Sequence, residues 1–213
     1  MGHCSPSKLP MLAECPCFQS TEAGLAAERG SIQHAVIEEH FLGNEPSWKS
    51  LWPSEKKKVR WAIRWIEKNT SSQRQVEVEV RPSRSDIAVV GRGFIDVLDT
   101  SDGIHIVDYK SGGEAHYLPQ LAVYGLIMMR KMGTSEARLT LLYGKTEEIV
   151  SEVLSNAEAE EIVLPIVAAV KNPEKKPCLC KYCSWCLRVR TCSALPASVR
   201  RAFAESTERK KPE

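Results

Sequence analysis

Apolar positions recur along this chain with two different periods, and each change of period marks the start of a new element. Leu25, Ile32, Ile37 and Phe41 fall at helical spacing within residues 21 to about 42, where Thr21-Glu22 opens the pattern and Gly30 is a place where it can break. Residues 44–54, with Pro46 and Pro53, read as a linker. The run EKKKVRWAIRWIEKN that follows predicts an amphipathic helix with Val59, Ala62, Ile63 and Ile66 on its core face. The period then becomes two: Val76, Val78 and Val80 alternate with Glu77 and Glu79 over 75–81, and 87–98 and 104–110 predict two more strands. Gly91 and Gly93 suggest a bulge or a close backbone approach in the first of these. A helix over 115–131, strands over 137–143 and 148–154 around Gly144-Lys145, and a helix from Asn156 as cap to Val170, with Pro165 as a kink, complete the pattern. The three strands over 75–110 read as a meander.

The stretch GFIDVLDTSDGIHIVDYKSGG carries the candidate chemistry. With Ser101, Asp102 and Gly103 as a three-residue loop, Thr100 pairs with Ile104 and Asp96 stands opposite Asp108. Pleating then places Ile104, Ile106, Asp108 and Lys110 on one face, beside Phe94, Asp96 and Leu98, with Val107 and Tyr109 on the other. Directly opposed side chains lie about 4.5–5.5 Å apart at Cβ, where two like charges destabilise a sheet unless a cation lies between them. Magnesium and similar hard cations prefer carboxylate oxygens and keep bound water, which suits hydrolysis of a phosphodiester. Lys110 can then stabilise charge on the phosphate or help activate the water. The plainer reading has Asp96 ending a strand, Asp99 and Asp102 in a polar turn and Asp108 solvated.

Composition narrows the classes. At 213 residues with a formal net charge of +2, the chain can build one sizeable core and has no global basic signature, so any nucleic-acid contact must be local. Lys56, Lys57, Lys58, Arg60 and Arg64 form one such patch, with Trp61 and Trp65 as base-stacking surfaces; the alternative has both tryptophans turned inward. No apolar run approaches the roughly 20 residues of a membrane span and no signal pattern opens the chain, so the sequence reads as soluble and cytoplasmic.

Eight cysteines gather at the two ends: Cys4, Cys15 and Cys17, then five from Cys178 to Cys192. In a reducing compartment such clusters favour metal or iron–sulfur ligation over disulfides. Cys183, Cys186 and Cys192 form C-x2-C-x5-C, and Cys15 can supply a fourth thiolate to a [4Fe–4S] cluster, joining the ends across the core. The competing assignment is a structural Zn2+ on Cys178, Cys180, Cys183 and Cys186. The sequence divides into an N-terminal segment over 1–20, a core over 21–170, a cysteine-rich module over 171–204 and a charged, frayed tail over 205–213.

Taken in order, SPSKL followed by Cys15-Pro16, RGSIQH ending at His34, GFID, VDYKSG, QLAVY and the three C-terminal cysteines resemble the RecB-like branch of the PD-(D/E)XK nuclease superfamily. In particular they are similar to small iron–sulfur exonucleases associated with CRISPR adaptation and to phage recombination nucleases. The resemblance implies an α/β fold with a mixed central sheet flanked by helices, a restriction-endonuclease-like core, with His34, Asp96, Asp108 and the backbone carbonyl of Tyr109 binding Mg2+ or Mn2+. It implies Lys110 as the catalytic lysine, Gln120 and Tyr124 positioning the strand, and a four-iron cluster on Cys15, Cys183, Cys186 and Cys192, with Cys17 as the alternative upstream ligand. The expected function is a DNA exonuclease acting on single-stranded ends in recombination, repair or CRISPR adaptation, with the proteins of those systems as partners. Two alternatives stand beside it: a non-catalytic iron–sulfur module that grips DNA or docks a complex, and a zinc-stabilised interaction protein.

Overall fold

A computed structural model describes residues 4–20, 24–83, 85–112 and 117–208. It contains a five-stranded mixed sheet in the order β1 (Gln75–Val80), β2 (Gly93–Asp99), β3 (Ile104–Lys110), β4 (Glu136–Tyr143) and β5 (Glu148–Ser155). Neighbours are antiparallel except β3 and β4, which are parallel. A parallel pair needs a crossover, and α4 (Leu118–Met132) supplies it.

Helices cover both faces. On one side α1 (Leu9–Glu14), α4 and α5 (Asn156–Lys171) enclose Ile95, Leu98, Ile104, Ile106, Leu139 and Leu141. On the other, α2 (Leu25–Phe41) and α3 (Pro53–Asn69) enclose Val97, Val107, Tyr109 and Leu142. Strand β3 is therefore buried on both faces through Tyr109, which is why its sequence is nearly continuous in apolar residues. The predicted core face of α3 is buried in full, and Trp61 and Trp65 pack inward against it rather than offering stacking surfaces.

Several boundaries differ from those the sequence predicts. Residues 87–98 are not one strand: Ser85–Ile87 is a 3-10 turn, and Val89 and Val90 pair with Cys4 of the N-terminal segment before β2 begins at Gly93. Helix α2 runs unbroken through Gly30, α3 starts at Pro53 inside the expected linker, and Thr21-Glu22 lie outside the described residues, as do 113–116. The cap of α5 is Ser155, not Asn156. Ser155 and Glu158 form a reciprocal capping box, while Asn156 donates its side-chain amide to the Thr134 carbonyl at 2.9 Å. A further helix, α6 (Ala197–Glu208), ends the described residues, and only its last four positions fall within the expected tail, whose residues 209–213 lie outside the described residues.

Asp99 ties the β2–β3 hairpin to the loop after α3. Its carboxylate accepts from Ser71 N–H at 2.5 Å, Ser71 Oγ at 2.8 Å and Ser101 N–H at 3.1 Å. Burial pushes its pKa up, but the Ser71 and Ser101 hydrogen bonds outweigh burial and bring it down to about 2. Because the folded pKa lies below the unfolded value near 3.9, this stabilisation is present above about pH 4 and disappears as pH falls towards 2. Asp99→Ala should therefore cost about 1–3 kcal/mol at pH 7, with the gap from wild type closing between pH 4 and 2 in thermal melts. A gap independent of pH would contradict the assignment.

Candidate active site

The β2–β3 ladder runs from Asp99 opposite His105 to Val97 opposite Val107, the register expected from a three-residue loop. Its continuation sets Asp96 against Asp108. The pleat does not continue evenly, however. Val76 and Val97 join the α2–α3 side, whereas Val78 and Ile95 join the α4–α5 side, so β1 and β2 both change face at the opposed residues Glu77 and Asp96. Glu77 has φ +48°, a left-handed conformation unusual for a residue with a side chain. Phe94 consequently is 42% exposed rather than sharing the core face with Leu98, Ile104 and Ile106, a correction to simple alternation.

At this interruption Asp96 Oδ2 accepts the backbone N–H of Tyr109 at 2.7 Å and lies 3.2 Å from His34 Nδ1 of α2. Burial works against a charged imidazole at His34, but the Asp96 carboxylate outweighs it and raises the pKa to about 9. Asp96 in turn is held below the usual carboxylate range: burial opposes its charge, and His34 overcomes it.

Asp108 is approached from the α4 side. Gln120 Nε2 donates to its Oδ1 at 3.3 Å, and Gln120 Oε1 accepts from Lys110 Nζ at 3.0 Å. Gln120 Nε2 also faces the Tyr124 hydroxyl at 3.4 Å. Lys110 Nζ is 2.6 Å from Asp108 Oδ2 as an ion pair, yet Oδ2, in a residue only 2% exposed, has no aligned hydrogen-bond donor among the described residues. Burial first, and then the Asp96 charge, push Asp108 up to about 6 against the pull of Lys110. Burial disfavours the charge on Lys110, but Asp108 and Asp96 more than offset it, so the ammonium is stabilised.

A buried carboxylate, Asp108, whose ionisation is made costlier by the charge of the largely covered Asp96 beside it, fits a divalent cation bound by oxygen ligands. His34, Glu77 and Asp96 add to this: one ligand atom from each lies within 4.8 Å of the others. Sequence reasoning missed Glu77. In VEVEV it reads as the solvent side of a strand, and a positive φ leaves no mark where neither Gly nor Asn is used. Burial, followed by the Asp96 charge, raises its pKa to about 7. Glu38, one helical turn after His34, lines the same pocket. Tyr109, expected to contribute its carbonyl, also packs its ring edge-on to His34 with centroids 5.5 Å apart.

The cysteines of the two ends also meet. Cys15, Cys17, Cys178, Cys180, Cys183, Cys186 and Cys192 line one cavity, and Cys4 lies apart from it, beside Val89 and Val90. All are free thiols. Ser20 bridges to Cys186, and Leu187 N–H donates to the Gln19 carbonyl at 2.8 Å. Cys178 N–H donates to Cys15 Sγ at 3.4 Å and Cys180 N–H to Cys183 Sγ at 3.3 Å.

A mixed sheet between helical layers, with an Asp on β2 facing Asp-x-Lys at the end of β3, is a restriction-endonuclease-like α/β core. The profile of the PD-(D/E)XK nuclease superfamily matches residues 3–193, and the chain belongs to that superfamily. Its members are generally nucleases that use divalent metals such as Mg2+ or Mn2+. The residue before Asp96 is Ile95, where the superfamily's name has proline. Among solved structures, the crystal structure of SSO0001 is similar at 13% identity and a TM-score of 0.43, covering 91% of this chain and 87% of that one. No curated protein matches the chain. Among the described residues, no helix is long and apolar enough to cross a membrane.

Proposed function

We propose that this protein is a metal-dependent DNA exonuclease that hydrolyses phosphodiester bonds at single-stranded ends, in recombination, repair or CRISPR adaptation. The observation that carries this reading is the Asp96–Asp108 pair, with His34 3.2 Å from Asp96 and Lys110 2.6 Å from the buried Asp108. His34, Asp96, Asp108 and the Tyr109 carbonyl, with Glu77 added, would hold Mg2+ or Mn2+. A bound ion supplies Lewis-acid charge and a water of lowered pKa. Lys110, kept protonated by the two carboxylates, offers positive charge to the phosphate as negative charge develops there. Gln120 bridges Lys110 and Asp108, and Tyr124 lies against Gln120, so α4 fixes the geometry of both catalytic side chains.

A [4Fe–4S] cluster on Cys15, Cys183, Cys186 and Cys192 is part of the same proposal. Zinc on four thiolates needs sulfurs about 3.8 Å apart, from Zn–S bonds of roughly 2.3 Å in tetrahedral geometry. The Cys180 and Cys183 sulfurs, 4.0 Å apart, suit that alternative, whereas the cluster reading accounts for the cysteines of both chain ends lining one cavity. The amides donating to Cys15 and Cys183 suit thiolate ligands, whereas Cys17 Sγ donates to the Lys175 carbonyl at 3.6 Å and Cys178 Sγ to that of Lys176 at 3.7 Å. Cys15 is thus favoured over Cys17 as the upstream ligand.

Anaerobically purified protein, given end-labelled single- and double-stranded DNA with Mg2+, Mn2+ or EDTA, should shorten single strands from their ends only when metal is present. The same preparation should be brown and carry about four iron atoms per chain. DNA binding without product under any metal would replace the enzyme by a binding module, and stoichiometric zinc without iron would remove the cluster.

A further inference from the structure

We infer that the exposed indole of Trp52 is a platform on which a nucleobase of the substrate strand stacks; this rests on the nuclease reading above. Trp52 is 53% exposed, in contrast to Trp48, Trp61 and Trp65, which pack against the α2–α3 core. The Arg29 guanidinium lies 4.3 Å from the centroid of its ring. Arg29 is itself fixed: Nε donates to Glu55 Oε1 at 3.0 Å, Nη2 donates to the Ser50 carbonyl at 3.0 Å, and Nη2 also pairs with Glu55 Oε2. That same carboxylate accepts the Trp52 backbone N–H at 2.8 Å. Trp52 is therefore held at its backbone and backed on its ring by one pair of side chains, while half of it faces solvent.

This arrangement is joined to the metal centre. Glu55, only 5% exposed, accepts from Gln33 Nε2 at 3.3 Å, and Gln33 Oε1 accepts from the Tyr109 hydroxyl at 2.8 Å. Tyr109 is the residue whose N–H holds Asp96. Arg29 precedes His34 by five residues on α2, about 7.5 Å along the helix axis at 1.5 Å per residue. Between them, a Cβ at Gly30 would lie 3.1 Å from Ser111 Oγ, so this part of α2 sits against the residue that follows Lys110.

Burying an Arg–Glu pair in such a network is costly and adds little to stability. Its effect here is to hold an aromatic surface rigid at the start of α3, with Lys56 and Lys58 in the first turns of that helix as positive charge for the flanking phosphates, Lys57 being paired with Glu147 at 3.0 Å. Stacking on an indole accepts any base, but the base must have an open face. Bases inside a duplex have neighbours on both faces, so the platform favours unpaired bases over the interior of a duplex.

The test measures binding by the full chain in EDTA, so that no strand is cut. Fluorescence anisotropy compares a labelled oligothymidine with an abasic strand of the same length. Wild type should favour the base-bearing strand. Trp52→Ala should weaken that binding roughly fivefold to a hundredfold and leave the abasic strand unaffected, and Trp52→Phe should restore most of the loss. A role confined to stabilising the α3 N-terminus would shift the melting temperature without changing base dependence. The inference is overturned if wild type does not distinguish the strands, if Trp52→Ala keeps the preference, or if it weakens both strands equally. Failure of the nuclease reading is read separately, as absence of product from wild type once Mn2+ is added.

Discussion

Asp108→Asn protein supplied with Mg2+ or Mn2+ is expected to cleave at least about a hundredfold to a thousandfold more slowly than wild type, the loss typical of removing one group that stabilises transition-state charge. The substitution keeps the shape of the side chain and an oxygen able to accept from Gln120, so the α4 contact has a partner. It removes the charge that, with Asp96, makes the site a cation ligand. Lys110 retains Gln120 Oε1 and the Asp96 charge, so circular dichroism and the melting temperature should stay close to wild type. Near-normal cleavage by folded Asp108→Asn protein would place the active centre elsewhere.

Gly144→Ala should be the most damaging small substitution outside the site. Gly144 follows β4, and its N–H donates to the Lys110 carbonyl at 2.8 Å. A Cβ there would lie 2.3 Å from the Tyr109 hydroxyl and 2.8 Å from the ring carbon bearing it. Tyr109 is fully buried and cannot swing into solvent, so relief requires moving its ring off Gln33. Overpacking costs about 1–3 kcal/mol, and a buried polar group left without its partner costs a similar amount. A total loss of about 2–5 kcal/mol follows, together with reduced cleavage, because the Tyr109 backbone positions Asp96. Tyr109→Phe removes the nearest atom. The double variant Tyr109→Phe/Gly144→Ala should therefore be more stable than the sum of the single changes predicts, with a coupling of about 1 kcal/mol or more. Denaturant unfolding of the four proteins checks this, and strict additivity would contradict it.

Much of this centre is legible in the sequence for a definite reason. The spacing between Asp96 and Asp108 is set by a short loop, and a loop of fixed length fixes the register; β3 is buried on both faces, so its pleat is regular and Asp108 follows Ile104 and Ile106 as counted. The predicted face of α3 holds because burial imposes its period, whereas on α2 only Ile37 of the predicted positions is buried and Leu25 is 65% exposed. What escapes the sequence depends on contacts distant along the chain. Glu77 enters the site through a backbone conformation that Val-Glu-Val does not announce. Residues 87–90 leave the expected strand to pair with Cys4, a partner more than eighty positions away. Trp52 lies in a segment that reads as linker, and its role rests on Arg29 and Glu55 meeting across two helices.

The contacts that join the chain ends also set an order of events during synthesis. Cys15 receives its hydrogen bond from a residue 163 positions later, and Gln19 is bonded by Leu187. On a ribosome adding about 5–20 residues per second, the N-terminal segment waits roughly 10–30 s before those partners exist. Over that interval Leu9 and Leu12 can dock on α4, but the cysteine cavity has only one wall. Its closure belongs to the end of folding. Premature termination between Lys171 and Cys178 would release a chain whose sheet is complete and whose N-terminal thiols have nothing to close upon.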